Sequence, residues 1–357
     1  MLFFKKGWEK IPYFSSTEIK NTTLVSILIA ARNEEDKIGN TIKDILLQKY
    51  PEDLFEIIVV DDHSTDGTAE IIRSFSSEGV QLIELNEDQP LNSYKKKAIS
   101  EAIKIAKGEL IITTDADCRM GDQWLSTIIS FYEKGGWKLI SSPVAFFEER
   151  GHFERLQTLE FLYLIGLGAS SIGNKVPSTC NGANLAYRKD VFEELKGFHG
   201  IDDLASGDDE LFLHKVASKY PDAIGFCKSR EAIVFTHAKR NLTEFISQRK
   251  RWASKSTRYK NKSIIVLGVS IWLFNLLIFI NFLSGFYQAS YFILTIVSLV
   301  CKFIVENLFL SKMVSFVGRR KLIWYLPLLT IIHIIYMIYI GLAGNSGKYV
   351  WKDRRVK

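Results

Sequence analysis

Three long apolar stretches in the last third of the sequence restrict its possible structures most strongly. They cover residues 263–283, about 289–310 and 322–344, and each is long enough to cross a bilayer, which takes about 20 apolar residues. Residues 1–260 instead mix apolar and charged segments, as a soluble α/β protein does. The overall composition, 47% hydrophobic and 24% charged, averages over this division. The sequence therefore predicts a soluble domain followed by transmembrane helices.

Basic residues are concentrated where the soluble part meets the first apolar stretch. Nine Lys or Arg and a single acid, Glu244, lie between Lys239 and Lys262, in a chain of formal net charge +6. Lys and Arg beside a membrane span mark its cytoplasmic side and can hold anionic lipid headgroups. We therefore predict an integral protein of the inner or plasma membrane, with a cytoplasmic soluble domain that contacts membrane lipids. A nucleic-acid partner is not expected, because the basic run continues directly into the apolar stretch.

The third apolar stretch conflicts with the charge rule for membrane topology. The uncharged loop 284–290 should lie outside, and the basic residues within 312–321 inside. A third full crossing would then place the basic tail at 345–357 outside. Either this stretch is re-entrant or interfacial, or the tail is tolerated there; Pro327 predicts a kink within it. In the second stretch, Lys302 and Glu306 lie four residues apart on one helical face and should face protein instead of lipid.

Cysteine usage fits a reducing compartment. The four cysteines show no CxxC spacing, which argues against a zinc site or a disulfide framework. The opening MLFFKKGWEK has too few apolar residues for a cleavable signal peptide.

Apolar strands recur along the soluble part, with helical periodicity between them. The predicted strands cover residues 24–31, 55–64, 80–85 and 109–114. This alternation predicts right-handed βαβ units and a mostly parallel sheet covered by helices. The acids Asp61, Asp62, Asp115 and Asp117 follow two of these strands. Because ligands bind outside the carboxyl ends of such strands, we expect a site there.

The pair Asp115 and Asp117 has the spacing of a metal site. Residues i and i+2 of a strand point to the same face, so both carboxylates would project together. Like charges this close repel unless a cation lies between them, and Mg²⁺ or Mn²⁺ prefers oxygen ligands. The alternative is an ordinary turn, in which Asp is common.

Two segments after the acid pair are less regular. WKLISSPVAFF (137–147) predicts a further strand. LQTLEFLYLIGLGASSIG (156–173) predicts a helix at the membrane interface or beneath the active site, or else an ordinary core helix.

Several motifs together resemble a membrane-bound family 2 glycosyltransferase of the cellulose/hyaluronan-synthase-like kind. VVDDHSTDGT (59–68), the DxD sequence in TTDADC (113–118) and QRKRW (248–252), which fits QxxRW, occur in the family's order. The resemblance covers roughly residues 24–255. It implies the α/β, Rossmann-like GT-A fold, which binds nucleotide-diphospho-sugars, followed by C-terminal transmembrane helices. The implied segments are a juxtamembrane segment (1–23), the GT-A domain (24–236), a basic interfacial segment with QxxRW (237–262), the transmembrane helices (263–344) and a basic tail (345–357).

The resemblance implies a donor site at the strand ends. The residues with this implied role are Ala31, Asn33, Glu34, Asp62, Lys95, Asp115 and Arg251. Asp117 and Asp115 would hold Mg²⁺ or Mn²⁺, which neutralises charge on the leaving nucleotide. His237 falls where some GT-A enzymes place another metal ligand, although a lone His is more often structural. Lys96 and Lys97 are as readily explained as solvated helix charges.

The resemblance also implies the catalytic and acceptor residues. ASGDDELFL (205–213) resembles the family's acidic motif, in which one carboxylate takes the proton of the acceptor hydroxyl as general base. Matching the motif puts the base at Asp208. However, Gly207 stands where the family usually has Glu, and Asp209 adds a second acid, so the assignment lies between Asp208 and Asp209. An acidic cap of the following helix is the alternative. The implied acceptor contacts are Asn181, Gly182, Gln248 and Trp252.

The function implied is an inverting, hexosyltransferase-type transfer of a sugar from a nucleotide sugar, expected to be a UDP-sugar, to a membrane lipid or growing glycan. Proteins of envelope biosynthesis are compatible partners. Two alternatives stay open: a processive polysaccharide synthase subunit, and a catalytically inactive nucleotide-sugar sensor or scaffold. The QRKRW helix would also be explained as a basic amphipathic helix on the membrane surface.

Overall fold

The computed structural model describes residues 1–16, 22–87, 91, 93–259, 262–344, 349–351 and 354–356. The helices are α1 (Leu2–Lys10), α2 (Ile38–Leu46), α3 (Thr68–Ser74), α4 (Tyr94–Ile105), α5 (Trp124–Gly135), α6 (His152–Gly173), α7 (Lys189–Glu194), α8 (Glu210–Lys219), α9 (Leu242–Ser254), α10 (Lys262–Ser284), α11 (Ser290–Phe316) and α12 (Leu326–Ala343). The strands are β1 (Val25–Ala31), β2 (Phe55–Asp61), β3 (Val80–Glu84), β4 (Leu110–Asp115), β5 (Arg119–Met120), β6 (Leu139–Ser141), β7 (Val144–Phe146), β8 (Leu185–Arg188), β9 (Ile224–Phe226), β10 (Val234–Thr236), β11 (Tyr349–Trp351) and β12 (Arg354–Val356).

A seven-stranded sheet forms the centre of the soluble domain, in the order β3-β2-β1-β4-β8-β6-β9. The strands β3, β2, β1 and β4 run parallel, as the alternation of strands and helices predicts, and β8 pairs antiparallel with β4. Ala31 of β1 pairs with Asp61 of β2, and Ala30 pairs with Asp115 of β4. The acids that end β2 and β4 therefore lie at one edge of the sheet.

Helices cover both faces of this sheet. Successive side chains of a strand point to opposite faces, so Ile27 of β1 packs in the cluster that contains Ile42 of α2. Leu28 packs on the other face, in the cluster that contains Ile99 of α4. Because the strands are buried on both faces, they are apolar without interruption, which is why the sequence predicts them well.

The apolar segment 137–147 forms two strands, whereas the sequence predicts one. β6 joins the central sheet, while β7 pairs with β10 in a second sheet that also contains β5. Pro143 lies between β6 and β7, where its missing N–H interrupts the ladder. The prediction of a single strand is wrong here.

The helix α6 lies between the soluble domain and the apolar helices, and the predicted helix at 156–173 is confirmed. A Cβ atom on Gly166 would lie 2.5 Å from Met313 Sδ and 2.9 Å from Phe309 on α11. Glycine therefore lets the two helices approach closely. The C-terminal end of α6 packs against α1, where a Cβ atom on Gly173 would lie 2.2 Å from the carbonyl oxygen of Gly7.

Three helices, over Lys262–Ser284, Ser290–Phe316 and Arg320–Ala343, are long and apolar enough to cross a membrane. The second continues past its predicted end at residue 310 because its last turns are buried against the soluble domain. Phe309 and Met313 are 0% and 3% exposed. Arg230 donates to the carbonyl oxygens of Phe316 at 2.6 Å and Ser315 at 3.0 Å, which satisfies acceptors at the end of the helix.

Two predictions within the apolar helices can be compared directly with the structure. Lys302 and Glu306 form a buried ion pair, with side chains 6% and 7% exposed, and Thr330 Oγ1 donates to Glu306 Oε2 at 3.0 Å. The prediction that this pair faces protein is confirmed. Pro327 lies in the first turn of α12, where a proline N–H is not needed. Pro327 also lies just after the 3-10 turn Arg320–Tyr325, and the kink in this apolar stretch stays a prediction.

Candidate active site

A cavity of about 450 Å³ opens at the carboxyl ends of β1, β2 and β4. All predicted site residues except Asn33 line it. We call the lining residues at or just after the ends of these strands the sheet half; they are Ala31, Glu34, Asp62, Asp115 and Asp117. We call those on α6 and α9 the helix half; they are Phe161, Leu164, Ile165, Gly168, Ala169, Gln248, Arg251 and Trp252. Two further loops bring in Asn181, Gly182, Asp208 and Asp209.

Hydrogen bonds join the loops after β1 and β2. The guanidinium group of Arg32 donates to the carbonyl oxygens of Asp62 and His63, each at 2.7 Å. Asn33 Oδ1 accepts from the backbone N–H of Thr65 at 2.9 Å, and the Asn33 backbone is left-handed, with φ +49°. Asn33 therefore shapes the sheet half without lining the cavity, and its role in donor binding stays a prediction.

The carboxylates of Asp115 and Asp117 are close together, as their spacing predicts. Potential ligand atoms of Asp115, Asp117 and Cys118 lie within 4.8 Å of one another. Burial raises the pKa of the Cys118 thiol well above its usual value, and its soft sulfur suits Mg²⁺ or Mn²⁺ less well than carboxylate oxygens do. The two carboxylates are 40% and 24% exposed and offer the hard oxygen donors that fit Mg²⁺ or Mn²⁺.

Each of these carboxylates has a lysine partner. Lys95 Nζ donates to Asp115 Oδ1 at 2.6 Å, and Lys37 Nζ lies 3.6 Å from Asp117 Oδ2. Burial disfavours the charge of Lys95, but the surrounding carboxylates outweigh burial and raise its pKa. Lys37 is not among the residues predicted from the sequence, although it lies only three positions after Glu34.

Lys95 also connects the sheet half to Asp208, the predicted general base. Its Nζ atom lies 3.4 Å from Asp208 Oδ2. A Cβ atom on Gly182 would lie 3.2 Å from the same oxygen and 3.6 Å from Lys95 Nζ. Glycine thus leaves room for both groups, and Asp208 and Asp115 share one ammonium group.

The neighbouring acids Asp208 and Asp209 have different environments. Asp209 caps α8, because its Oδ1 atom accepts from the backbone N–H of Glu210 at 2.6 Å. Its Oδ2 atom accepts from the backbone N–H of Gly182, outside this helix, at 3.1 Å. Burial opposes the Asp209 charge, but Lys255 at 3.3 Å and these hydrogen bonds lower its pKa to about 2. A carboxylate this acidic is a weak base, so the geometry favours Asp208 as the general base.

Gly207 accounts for the departure from the family's acidic motif. Its backbone is left-handed, with φ +87°, and a Cβ atom there would lie 2.8 Å from Leu211 Cδ1. A Glu at this position would be strained in this conformation.

Lys96 holds the loop that precedes Asp208. Its side chain is buried, and Nζ donates to the carbonyl oxygens of Ile201, Leu204 at 2.7 Å and Ser206 at 2.8 Å. Burial lowers the pKa of Lys96 to about 8. The solvated alternative is therefore excluded for Lys96. No local pattern could have revealed this contact, because the acceptors lie more than a hundred positions away.

The QRKRW segment lies on α9. Asn241 caps this helix, since its Oδ1 atom accepts from the N–H of Glu244 at 2.9 Å. Trp252 lines the cavity beside Phe161 of α6, with ring centroids 5.9 Å apart. Apart from α9, the helix half is apolar, whereas the sheet half is mostly charged.

His237 lines the cavity but does not belong to the described cluster of Asp115, Asp117 and Cys118. Its ring lies 4.5 Å from that of Phe147, measured between centroids. Burial and then the charge of Lys37 lower its pKa, which favours a neutral imidazole. Its role as a metal ligand stays a prediction.

Comparison with known proteins connects this geometry to one family. Residues 26–196 match the model described as glycosyl transferase family 2. The glycosyltransferase AglE of Haloferax volcanii is 30% identical over 176 residues, which are 49% of this chain and 55% of AglE. The β-monoglucosyldiacylglycerol synthase of Nostoc sp. is 30% identical over 110 residues, 31% of this chain and 24% of that protein. The chain thus spans about half of the first relative and a quarter of the second.

A solved structure supports the same fold. The mannosyltransferase PcManGT from Pyrobaculum calidifontis, in complex with GDP-Man and Mn²⁺, aligns over 94% of both chains with a TM-score of 0.55 and 17% identity. The predicted GT-A fold followed by apolar C-terminal helices is confirmed. The relatives include proteins named for lipid glycosylation and for polysaccharide synthesis. They are glycosyltransferases, which is the class of enzyme that the sequence predicts for this chain.

Proposed function

Because the chain carries a glycosyltransferase family 2 domain of the GT-A fold, we propose that it is an inverting glycosyltransferase. It transfers a sugar from a nucleotide sugar, with a UDP-sugar as the expected donor, to a membrane lipid or a short glycan. The observation that carries this proposal is the position of Asp208, which lines the cavity and shares Lys95 with Asp115.

In the proposed reaction, Asp208 is the general base. Its carboxylate takes the proton of an acceptor hydroxyl while the hydroxyl oxygen attacks the anomeric carbon. The new carbon–oxygen bond forms on the face opposite the breaking bond. The bond from the anomeric carbon to the diphosphate breaks, and the nucleoside diphosphate leaves with the electron pair.

The sheet half is proposed to bind the donor. Asp115 and Asp117 would hold Mg²⁺ or Mn²⁺, which when bound stabilises negative charge on the diphosphate. Asp62, whose side chain is 3% exposed, is suited to accept hydrogen bonds from the base or ribose. Arg251 is suited to bind the diphosphate, because a planar guanidinium donates two parallel hydrogen bonds.

The helix half, apart from Arg251, is proposed to bind the acceptor. Phe161, Leu164 and Ile165 give it an apolar wall on α6, the helix that also packs against α11. An apolar wall next to apolar helices fits a lipid acceptor better than a free sugar. Trp252 would pack against a sugar ring or lipid headgroup, and Gln248 would donate a hydrogen bond to it.

The first test is nucleoside diphosphate release by the detergent-purified chain. UDP-sugars and GDP-mannose would each be tested with Mn²⁺, Mg²⁺ or EDTA in the presence of native membrane lipids. Asp208→Asn and Asp117→Ala should lose release with the preferred donor. Asp222→Asn, an exposed carboxylate outside the cavity, is the matched control and should keep wild-type activity.

The outcome also separates the alternative functions. Donor binding without release in any condition would favour a nucleotide-sugar sensor or scaffold. A ladder of products would favour a processive polysaccharide synthase subunit, whereas a single added sugar would favour transfer to a lipid or short glycan. Release of pyrophosphate would point to nucleotidyl transfer instead.

We also propose that, of the three apolar helices described above, α10 and α11 cross the membrane and α12 does not, with the GT-A domain in the cytoplasm. Both ends of α12 contact the soluble domain. At its start, Tyr325 Oη lies 2.7 Å from His152 Nδ1. At its end, a Cβ atom on Gly344 would lie 2.5 Å from the Cβ atom of Ala253 on α9. A helix with both ends on one domain is better explained as lying along the membrane-facing surface of that domain.

This arrangement removes the topology conflict. The strand β11 (Tyr349–Trp351) lies against α9, which places this strand on the side of the basic cluster at 239–262. Cysteines introduced as Tyr287→Cys and Lys357→Cys would test it with an impermeant maleimide on intact cells. We expect labelling at residue 287 without permeabilisation and at residue 357 only after it. Labelling of both from outside would show that α12 crosses.

A further inference from the structure

The helix α9 contains a buried cation that neither the donor site nor the general base uses. Arg249 and its partner Glu160 on α6 have side chains only 2% and 4% exposed. The guanidinium group donates to both oxygens of Glu160, with Nε 3.1 Å from Oε1. This bidentate pairing fixes the guanidinium plane, and with it the rotation of α9 against α6.

The same guanidinium group contacts both proposed acceptor residues on α9. Gln248 Oε1 accepts a hydrogen bond from Arg249 Nη1. The ring of Trp252 lies 4.3 Å from the guanidinium carbon, and the ring of Phe245 lies 4.5 Å away on the same helix. The orientations of Gln248 and Trp252 therefore depend on where Arg249 is held.

Tyr336 on the apolar helix α12 also contacts the pair of Arg249 and Glu160. Tyr336 Oη on α12 donates to Glu160 Oε1 at 3.2 Å, and its ring packs against Phe245 with centroids 5.6 Å apart. The hydrogen bond joins α12 to the carboxylate that orients Arg249. The packing of the C-terminal helices is thus connected to two residues that line the cavity.

We propose that Glu160, Arg249 and Tyr336 are positioning residues for acceptor recognition. They hold Gln248 and Trp252 in the orientation that binds the acceptor, whereas the proposed donor contacts in the sheet half do not lie on α9. This inference rests on the proposed glycosyl transfer, and it adds a set of residues that act through others without touching the reacting atoms.

The test compares acceptor KM, kcat and donor affinity in purified full-length variants. Tyr336→Phe removes one hydrogen bond to a charged group and should raise acceptor KM about threefold to tenfold. Glu160→Gln leaves Arg249 without its counter-charge, so this variant is expected to lower the melting temperature as well.

A double variant separates positioning from stability. Glu160→Met with Arg249→Met replaces the buried pair by apolar side chains of similar length, which often restores stability. We expect a melting temperature near that of the wild type, a raised acceptor KM and a donor affinity that changes less than the acceptor KM, since Asp62, Asp115 and Asp117 lie outside α9. A wild-type acceptor KM in this variant and in Tyr336→Phe would overturn the proposal, as would an equal loss of donor affinity.

A second ion pair, in which the carboxylate is buried and the arginine is 32% exposed, is the control. Arg319 Nη2 donates to Glu149 Oε2 at 2.6 Å and joins the turn before α12 to the soluble domain, away from Gln248 and Trp252. Arg319→Met with Glu149→Met should leave acceptor KM unchanged. If the wild-type chain transfers no sugar at all, the proposed function fails, and this inference fails with it. If only the variant pattern is absent, the inference alone fails.

Discussion

The sheet half and the helix half of the cavity are held together differently. In the sheet half, Asp115 and Asp117 are 40% and 24% exposed, and each has a lysine that can exchange with other charged partners. Behind the helix half, Arg249 and Glu160 do not line the cavity; they are almost fully buried and form a bidentate pair. Water screens and rearranges the first set but not the second. We conclude that the sheet half suits a charged, exchanging ligand, and the helix half a ligand recognised by shape.

The largest expected effect belongs to Asp208, which serves both halves. Asp208→Asn should lower kcat by about 10²- to 10⁴-fold, because the acceptor hydroxyl loses its general base. Donor affinity and acceptor KM should stay near wild-type values in steady-state kinetics and equilibrium titration. Asp209→Asn is the paired variant and should mainly lower the melting temperature, since it removes the negative charge that faces the buried Lys255 and one of the two acceptor oxygens. The reverse pattern would assign the base to Asp209.

The second-largest expected effect, that of Asp117→Ala, distinguishes the sheet half of the cavity from the helix half. Asp117→Ala removes a proposed cation ligand, so the Mn²⁺ concentration needed for half-maximal activity should rise by about 10²-fold or more. Acceptor KM, measured at saturating donor and cation, should not change, because Asp117 lies only in the sheet half. An acceptor KM that rises in parallel would show that the two halves are not independent.

Lys96 tests the loop that carries Asp208. Lys96→Met leaves three carbonyl oxygens without their donor, each costing roughly 1–3 kcal/mol when buried and unpaired, so the melting temperature should fall. The pKa of about 8 in the folded chain lies below the usual lysine pKa of 10.5. Between these values the unfolded chain binds a proton that the folded chain lacks, so the wild type should gain stability as pH rises.

The measurement for Lys96 is the difference in melting temperature between the wild type and the variant from pH 7 to pH 10.5. Subtracting the variant removes the titration of other groups. A difference that does not grow above pH 8 would argue against a lowered pKa of Lys96.

The smallest effect belongs to the helix half. Trp252→Phe keeps an aromatic ring but reduces the contact surface, which should raise acceptor KM about twofold to tenfold. Donor affinity should not change. Titration with donor and steady-state kinetics with a lipid acceptor would check both, and a change in donor affinity alone would place Trp252 with the sheet half.

The sheet half could be predicted from the sequence because its information is local. β1, β2 and β4 are mostly apolar runs of six or seven residues, and Asp62 and Asp115 lie at or just after the ends of β2 and β4, so pattern and position appear together. Parallel pairing then brings the strand ends to one edge. The Lys302 and Glu306 pair was equally visible, because four residues separate its members.

The rest depends on contacts between distant segments. Glu160 and Arg249 lie 89 positions apart, and no residue near either of them in sequence indicates that they pair. The role of Lys96 depends on the loop at 201–206, and Pro143 separates two strands that join different sheets. Packing of α6, α9 and α12 decides these features, and no periodicity encodes it.

The hairpin of α10 and α11 has a consequence for the fate of the product. Two helices packed side by side enclose no water-filled path through hydrocarbon. If α12 stays with the soluble domain, a glycosylated lipid made in the cavity remains in the leaflet that faces that domain. Moving its sugar headgroup across the bilayer would break many hydrogen bonds with water, at several kcal/mol for each unpaired polar group. If the chain transfers a sugar to a lipid as proposed, it would therefore create a lipid asymmetry between the leaflets, which a flippase could relieve.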